Sequence, residues 1–108
     1  YKKWVGLISQ SGTDVPTAIV LENTLDSIVT FEYVNTGLYH IHLGASSGFD
    51  YTKTFIINGS PGNVDAPFGR TLFYNTGGIA IIISTTDESG NFINNNLNLT
   101  PIEIRIYP

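Results

Sequence analysis

The stretches Tyr39-His40-Ile41-His42-Leu43 and Ile102-Glu103-Ile104-Arg105-Ile106-Tyr107 alternate apolar and polar residues without a break. A period of two sends successive side chains to opposite faces of an extended chain, so each stretch reads as a half-buried β-strand. Working outward, the same pattern predicts strands over Lys2 to Gln10, Thr17 to Glu22, Ser27 to Tyr33, Leu38 to Leu43, Lys53 to Asn58, Arg70 to Tyr74, Ile79 to Thr85 and Pro101 to Tyr107, most of them rich in β-branched and aromatic residues. Between them lie Ser11-Gly12-Thr13-Asp14, Asn35-Thr36-Gly37, Asn58-Gly59-Ser60-Pro61-Gly62-Asn63, Asn75-Thr76-Gly77-Gly78 and Ser89-Gly90-Asn91, all residues that tolerate the backbone of tight turns. No window sustains a helical period, and at most Leu21 to Leu25 could make a single turn. Such regular punctuation predicts an all-β, antiparallel β-sandwich, jelly-roll-like, of about eight short strands.

The expected core takes one phase of each strand: Val5, Leu7, Ile19, Leu21, Val29, Phe31, Ile41, Leu43, Phe55, Ile57, Ile81, Ile83, Ile104 and Ile106. Phe49 to Thr52 and Glu88 to Thr100 break the rhythm and read as longer loops. The second carries Asn91, Asn94, Asn95, Asn96 and Asn98 and is the expected variable surface.

With 108 residues the chain encloses one core, so residues 1–108 form a single domain. Only 13% of residues are charged, five Lys and Arg against nine Asp and Glu, which leaves Asn, Thr, Ser and Gly to cover the surface. A net charge of −4, with no basic run, excludes nucleic acid as an expected partner. The absence of Cys removes both disulfides and thiolate metal sites. The longest apolar run, Ile79 to Ile83, falls far below the roughly 20 residues of a membrane span, and no signal-peptide pattern opens the chain, so membrane insertion is not expected. Beginning at Tyr1 and ending just after a strand, the segment reads as the C-terminal domain of a longer chain.

Four patterns bear on chemistry. His40 and His42 leave one face of their strand and could present two imidazoles to one metal, as in cupin-type sites. Two ligands leave a divalent ion undersaturated unless carboxylates or a symmetry mate contribute, so the pair reads as a polar strand face or as stacking at a subunit interface, and no metal is assigned. Asp87-Glu88-Ser89-Gly90-Asn91 resembles part of a calcium loop but lacks the closing bidentate Glu, and reads as a hairpin turn. Gly44-Ala45-Ser46-Ser47-Gly48 matches the nucleophile-elbow string without the helix that must follow it. Trp4 and the six tyrosines could stack sugar rings, although in a sandwich such residues serve more often as core or interface. No catalytic or cofactor-binding residue is assigned.

The opening run from Tyr1-Lys2-Lys3-Trp4 through Ser9-Gln10-Ser11-Gly12-Thr13 to Val20-Leu21-Glu22-Asn23-Thr24-Leu25, with the closing Ile102-Glu103-Ile104-Arg105-Ile106-Tyr107, resembles a small β-module of uncharacterised bacteriophage proteins from Bacteroidetes-type hosts. The resemblance covers about the first quarter of the chain and its last strand. It implies a virion or extracellular setting and no active site. Few charges protect strands such as Ile79 to Ile83 against edge pairing, which points to burial or to a partner chain.

Together these readings predict a non-enzymatic structural module of a phage virion, in a fibre, spike or capsid-associated protein. A homotrimer is expected, in contact with other virion proteins. The loops around Asp50 and Asn95 would face solvent or a receptor such as a cell-surface glycan. The competing expectation is a carbohydrate-binding module using exposed Trp4 or Tyr side chains. A metal-dependent enzyme, which would need His40 and His42, ranks third. The residues singled out for ligand or interface roles are thus Trp4, His40, His42, Asp50 and Asn95.

Overall fold

The computed structural model describes residues 1–59, 70–75 and 80–108. Eight strands build two antiparallel sheets: β1 (Lys2–Ser9), β2 (Thr17–Asn23), β3 (Thr30–Asn35), β4 (Leu38–His42), β5 (Thr54–Asn58), β6 (Arg70–Asn75), β7 (Ile81–Thr86) and β8 (Thr100–Ile106). One sheet has the order β2-β1-β8-β5 and the other β3-β4-β7-β6. The expected all-β sandwich is therefore present. Segments 60–63 and 76–78 of two expected turns, and the expected strand start at Ile79, lie outside the described residues. Among the described residues no helix is long and apolar enough to cross a membrane.

Buried apolar side chains from both sheets meet in one core. Trp4, Ile8, Ile102, Ile104 and Ile106 come from the first sheet, and Tyr39, Ile41, Phe73, Ile81 and Ile83 from the second, with Leu25, Leu43 and Leu97 inserted from connecting segments. Within the Ile79 to Ile83 run, Ile81 to Ile83 need no partner chain for protection, because β7 lies between β4 and β6. The edges fall instead to β2, β5, β3 and β6.

The expected core phase holds for β4, β7 and β8 and fails in three strands of the first sheet. In β1 the inward residues are Trp4, Gly6 and Ile8, whereas Val5 and Leu7 point outward. The cause is an exchange of volume: a Cβ at Gly6 would stand 2.4 Å from Trp4 Cη2, so the indole occupies the space that a side chain at position 6 would need. In β5 the pairing of Ile56 with Ile104 fixes Ile56 inward and sends Phe55 and Ile57 to the surface. In β2, Ile19 pairs with outward Leu7, and both Ile19 and Leu21 are exposed.

Strand β3 begins three residues later than expected. Asn23 Oδ1 accepts from the Leu25 amide at 2.9 Å, and its Nδ2 donates to the Ser27 carbonyl at 3.0 Å, folding a bend that drives Leu25 into the core. The single turn considered for Leu21 to Leu25 is thus strand followed by this bend. The one 3₁₀ turn among the described residues is Ala45–Ser47.

Candidate functional site

Two outer faces and one end of the sandwich carry the residues of interest. On the β3-β4-β7-β6 face, the hairpin register places Glu32 opposite His40 and Thr30 opposite His42. His42 Nε2 lies 3.0 Å from Glu32 Oε1 and donates to it, while His40 Nδ1 lies 3.7 Å from the same oxygen. The two rings meet edge to face with centroids 5.8 Å apart. All three side chains are partly exposed. On the β7 side His40 faces Ile82, and Ile82 in turn faces Tyr74 on β6. The expected His pair is therefore on the surface, joined by a carboxylate that spacing along the chain did not reveal. The signal was available: a hairpin centred on Thr36 pairs position 40 with position 32.

The outer face of β2-β1-β8-β5 has a different character. Ile19, Leu7 and Pro101 lie in one cross-strand row, Val5, Glu103 and Ile57 in the next, and Lys3, Arg105 and Phe55 in a third. Phe55 is 62% exposed and Ile19 55%. Tyr107 packs against both Tyr1, with centroids 4.8 Å apart, and Phe55, at 6.1 Å, and the Arg105 guanidinium sits 5.2 Å from the Tyr1 ring. The charges here are already matched within the face: Lys3 Nζ is 3.2 Å from Glu22 Oε1, and Arg105 pairs with Glu103. These partners raise the Lys3 and Arg105 pKa values above their ordinary ones, in each case first through the side-chain hydrogen bond to the carboxylate. What remains unmatched is apolar.

At one end, the Asn-rich loop is tied down by its own side chains. Asn94 Oδ1 accepts from the Gly37 amide at 2.9 Å, and its Nδ2 donates to the Tyr33 hydroxyl at 3.0 Å. The Asn95 amide donates to Gln10 Oε1 at 2.9 Å, and its Oδ1 accepts from the Gly12 amide at 2.6 Å. The Tyr39 hydroxyl lies between Gln10 Oε1, at 2.8 Å, and Asn94 Oδ1, at 3.0 Å. Burial pushes its pKa up. Asn95 is thus exposed but held in a loop that caps the core. Beside it opens a cleft of about 440 Å³ lined by Ser9, Gln10, Asp14, Val15, Asn95 and Asn98 among others, with no aromatic side chain.

The remaining expected residues have structural roles. Trp4 is 1% exposed and packs edge-on to Phe31 at 6.1 Å, so it belongs to the core and not to a binding surface. Asp50 accepts from the amide and hydroxyl of Thr52 at 2.9 and 2.7 Å, contacts that hold its carboxyl below the usual range and shape the turn before β5. Asp87 Oδ1 accepts from the Ser89 and Asn91 amides, both at 2.9 Å, in a hairpin turn whose carboxylate is already occupied by backbone donors. Ser47 is buried and hydrogen-bonded to the Gly44 carbonyl, and the 3₁₀ turn Ala45–Ser47 gives way to loop and not to an α-helix, so the elbow string does not form an elbow. Comparison with known proteins gives no matching family model, no matching curated protein and no matching solved structure.

Proposed function

We propose that this domain is a non-enzymatic assembly module that associates with copies of itself through the outer face of β2-β1-β8-β5, as part of a fibre, spike or capsid-associated protein of a virion. The observation that carries the reading is the apolar set on that face, exposed Ile19, Ile57 and Phe55 and half-buried Val5 and Leu7, with the Tyr1–Tyr107 pair. Exposed apolar side chains gathered on one sheet face, here on either side of the Glu103–Arg105 pair, are the kind of surface that marks an interaction site. A second copy is the occupant that fits best, because the four charges Lys3, Glu22, Glu103 and Arg105 on the face are paired with one another and leave its apolar side chains as the main surface offered. Self-association also covers the β2 edge, whose Ile19, Val20 and Leu21 are all exposed. The virion setting and the trimeric state rest on the resemblance of the chain's two ends to phage β-modules. The carbohydrate-binding reading loses its first platform with the burial of Trp4, and the cleft beside Asn95 offers no ring for a sugar to stack on.

Light scattering after size exclusion, across a dilution series, tests the proposal on the wild-type chain and on a Phe55→Asp, Ile19→Lys double variant. Both side chains point outward, so the variant keeps the core intact. The expected result is an oligomer for the wild type, a trimer on the fibre reading, and a monomer for the variant. A wild type that stays monomeric at every concentration, or a variant with unchanged mass, refutes the reading.

A further inference from the structure

We infer that Glu32, His40 and His42 form a binding site for one divalent transition-metal ion of the zinc type. Among the described residues these three are the group of His, Asp and Glu side chains whose donor atoms converge, one from each residue and all within 4.8 Å of one another. In a tetrahedral zinc site with bonds of about 2.0–2.1 Å, neighbouring donors stand about 3.3 Å apart. The Glu32 Oε1 distances of 3.0 Å to His42 and 3.7 Å to His40 bracket that value, and with all donors within 4.8 Å of one another the closure asked of the two imidazoles is at most about 1.5 Å.

The scaffold favours such closure. All three residues lie on hydrogen-bonded strands, and β4, which carries both histidines, sits between β3 and β7 and is held from either side. Donors on a ladder of this kind lose little backbone freedom when they bind. The donor set also selects the ion. Two imidazoles and one carboxylate suit zinc and its first-row neighbours, whereas calcium and magnesium prefer oxygen ligands. Glu32 supplies one negative charge to a site whose other two donors are neutral when metal-bound. Three protein ligands leave a position open for water or for an external donor, the arrangement of an accessible site and not of a closed structural one.

The site does not depend on the assembly reading, because it faces away from the other sheet and stays open when the β2-β1-β8-β5 face is covered. Its test is calorimetric titration of Zn²⁺ into the full, chelator-treated chain at neutral pH, with Co²⁺ absorption as a reporter of coordination. One ion per chain is expected. Loss of outer-shell partners alone weakens metal sites about 10–100-fold, so His40→Ala and His42→Ala should each weaken binding at least about tenfold, and Glu32→Gln should weaken it measurably. Far-ultraviolet circular dichroism and Trp4 emission identify the folded variants. No saturable binding below about 1 mM, a free energy of only about 4 kcal/mol, overturns the inference. So does binding that survives the double histidine variant, or that Glu32→Gln leaves unchanged.

Discussion

Replacing Gly6 with Ala should destabilise the domain by about 1–2 kcal/mol, although the new side chain is small, apolar and directed into the core. Its Cβ would meet Trp4 Cη2 at 2.4 Å and Cζ2 and Cζ3 at 2.9 Å, against an ordinary contact of 3.4 Å or more. The atoms it meets belong to a rigid fused ring that is 1% exposed and already packed on Phe31, so the indole cannot swing aside into solvent. Overpacking of this kind costs about 1–3 kcal/mol. Replacing a strand glycine by alanine returns about 0.5–1 kcal/mol through the unfolded chain, which sets the net value. For a domain of this size that loss lowers the melting temperature by about 4–9 °C. Trp4 is the sole tryptophan, so urea unfolding followed by its fluorescence reports directly on the affected ring. A cycle with Trp4→Phe isolates the clash, since Gly6→Ala should cost less when the smaller ring vacates the position. An unchanged or raised midpoint for Gly6→Ala, with unshifted emission, would refute the volume exchange that sets the phase of β1.

Two further outcomes follow from the hydrogen-bonded end and the β7 turn. Tyr39→Phe should cost about 1 kcal/mol and not more, because Gln10 Oε1 and Asn94 Oδ1 each keep a backbone donor, from Asn95 and Gly37, when the hydroxyl is removed. Burial raises the folded pKa of Tyr39 above its ordinary 10.0, so its contribution is complete below pH 10 and declines as pH rises from there through the folded value. Chemical denaturation at pH 9 and pH 11 should show a drop that Tyr39→Phe reduces. Asp87 behaves in the opposite sense: the Asn91 amide, first among several donors, lowers its folded pKa below 3.8, so the turn's stabilisation is full above that pH and is lost as pH falls through the depressed value. Asp87→Asn should therefore flatten the acid limb of a pH–stability profile, and an identical acid limb in the variant would count against the turn's role.

Alternation, β-branched and aromatic content and turn punctuation together located all eight strands, and in β4, β7 and β8 the richer apolar phase also gave the buried one. Strand β1 could not be phased from sequence: Trp4, Gly6 and Ile8 compete with Val5 and Leu7, and a glycine in the inward set looks like a gap until the indole is seen to fill it. The His40–His42 pair was legible from its spacing of two, whereas Glu32 belongs to the site only through the β3–β4 register. The Asn-rich loop was legible as surface, and Asn91, Asn95 and Asn98 are exposed, but its anchoring was not: Asn94 and Asn95 spend their side chains on backbone amides of Gly37 and Gly12, distant in sequence and adjacent only after folding.

The misphased strands are not scattered. β1, β2 and β5 all belong to the sheet whose outer face is apolar, and each carries apolar residues in both phases. A sandwich that works alone, wetted on both sides, should alternate as cleanly in one sheet as in the other. The β3-β4-β7-β6 sheet comes nearer to this, turning Glu32, His40, His42, Ser84 and Thr86 outward on β3, β4 and β7, although Ile82, Leu72 and Tyr74 share that outer face. In the other sheet β8 is the informative exception. It alternates because Glu103 and Arg105 occupy its outer face, and those two charges satisfy each other in place. Ambiguous phase in three strands of one sheet thus goes with apolar residues on its outer face as well as its inner one, the feature on which the proposed self-association rests. The same asymmetry separates the two proposed activities, with self-association on one side of the sandwich and the Glu32–His40–His42 donors left accessible on the other.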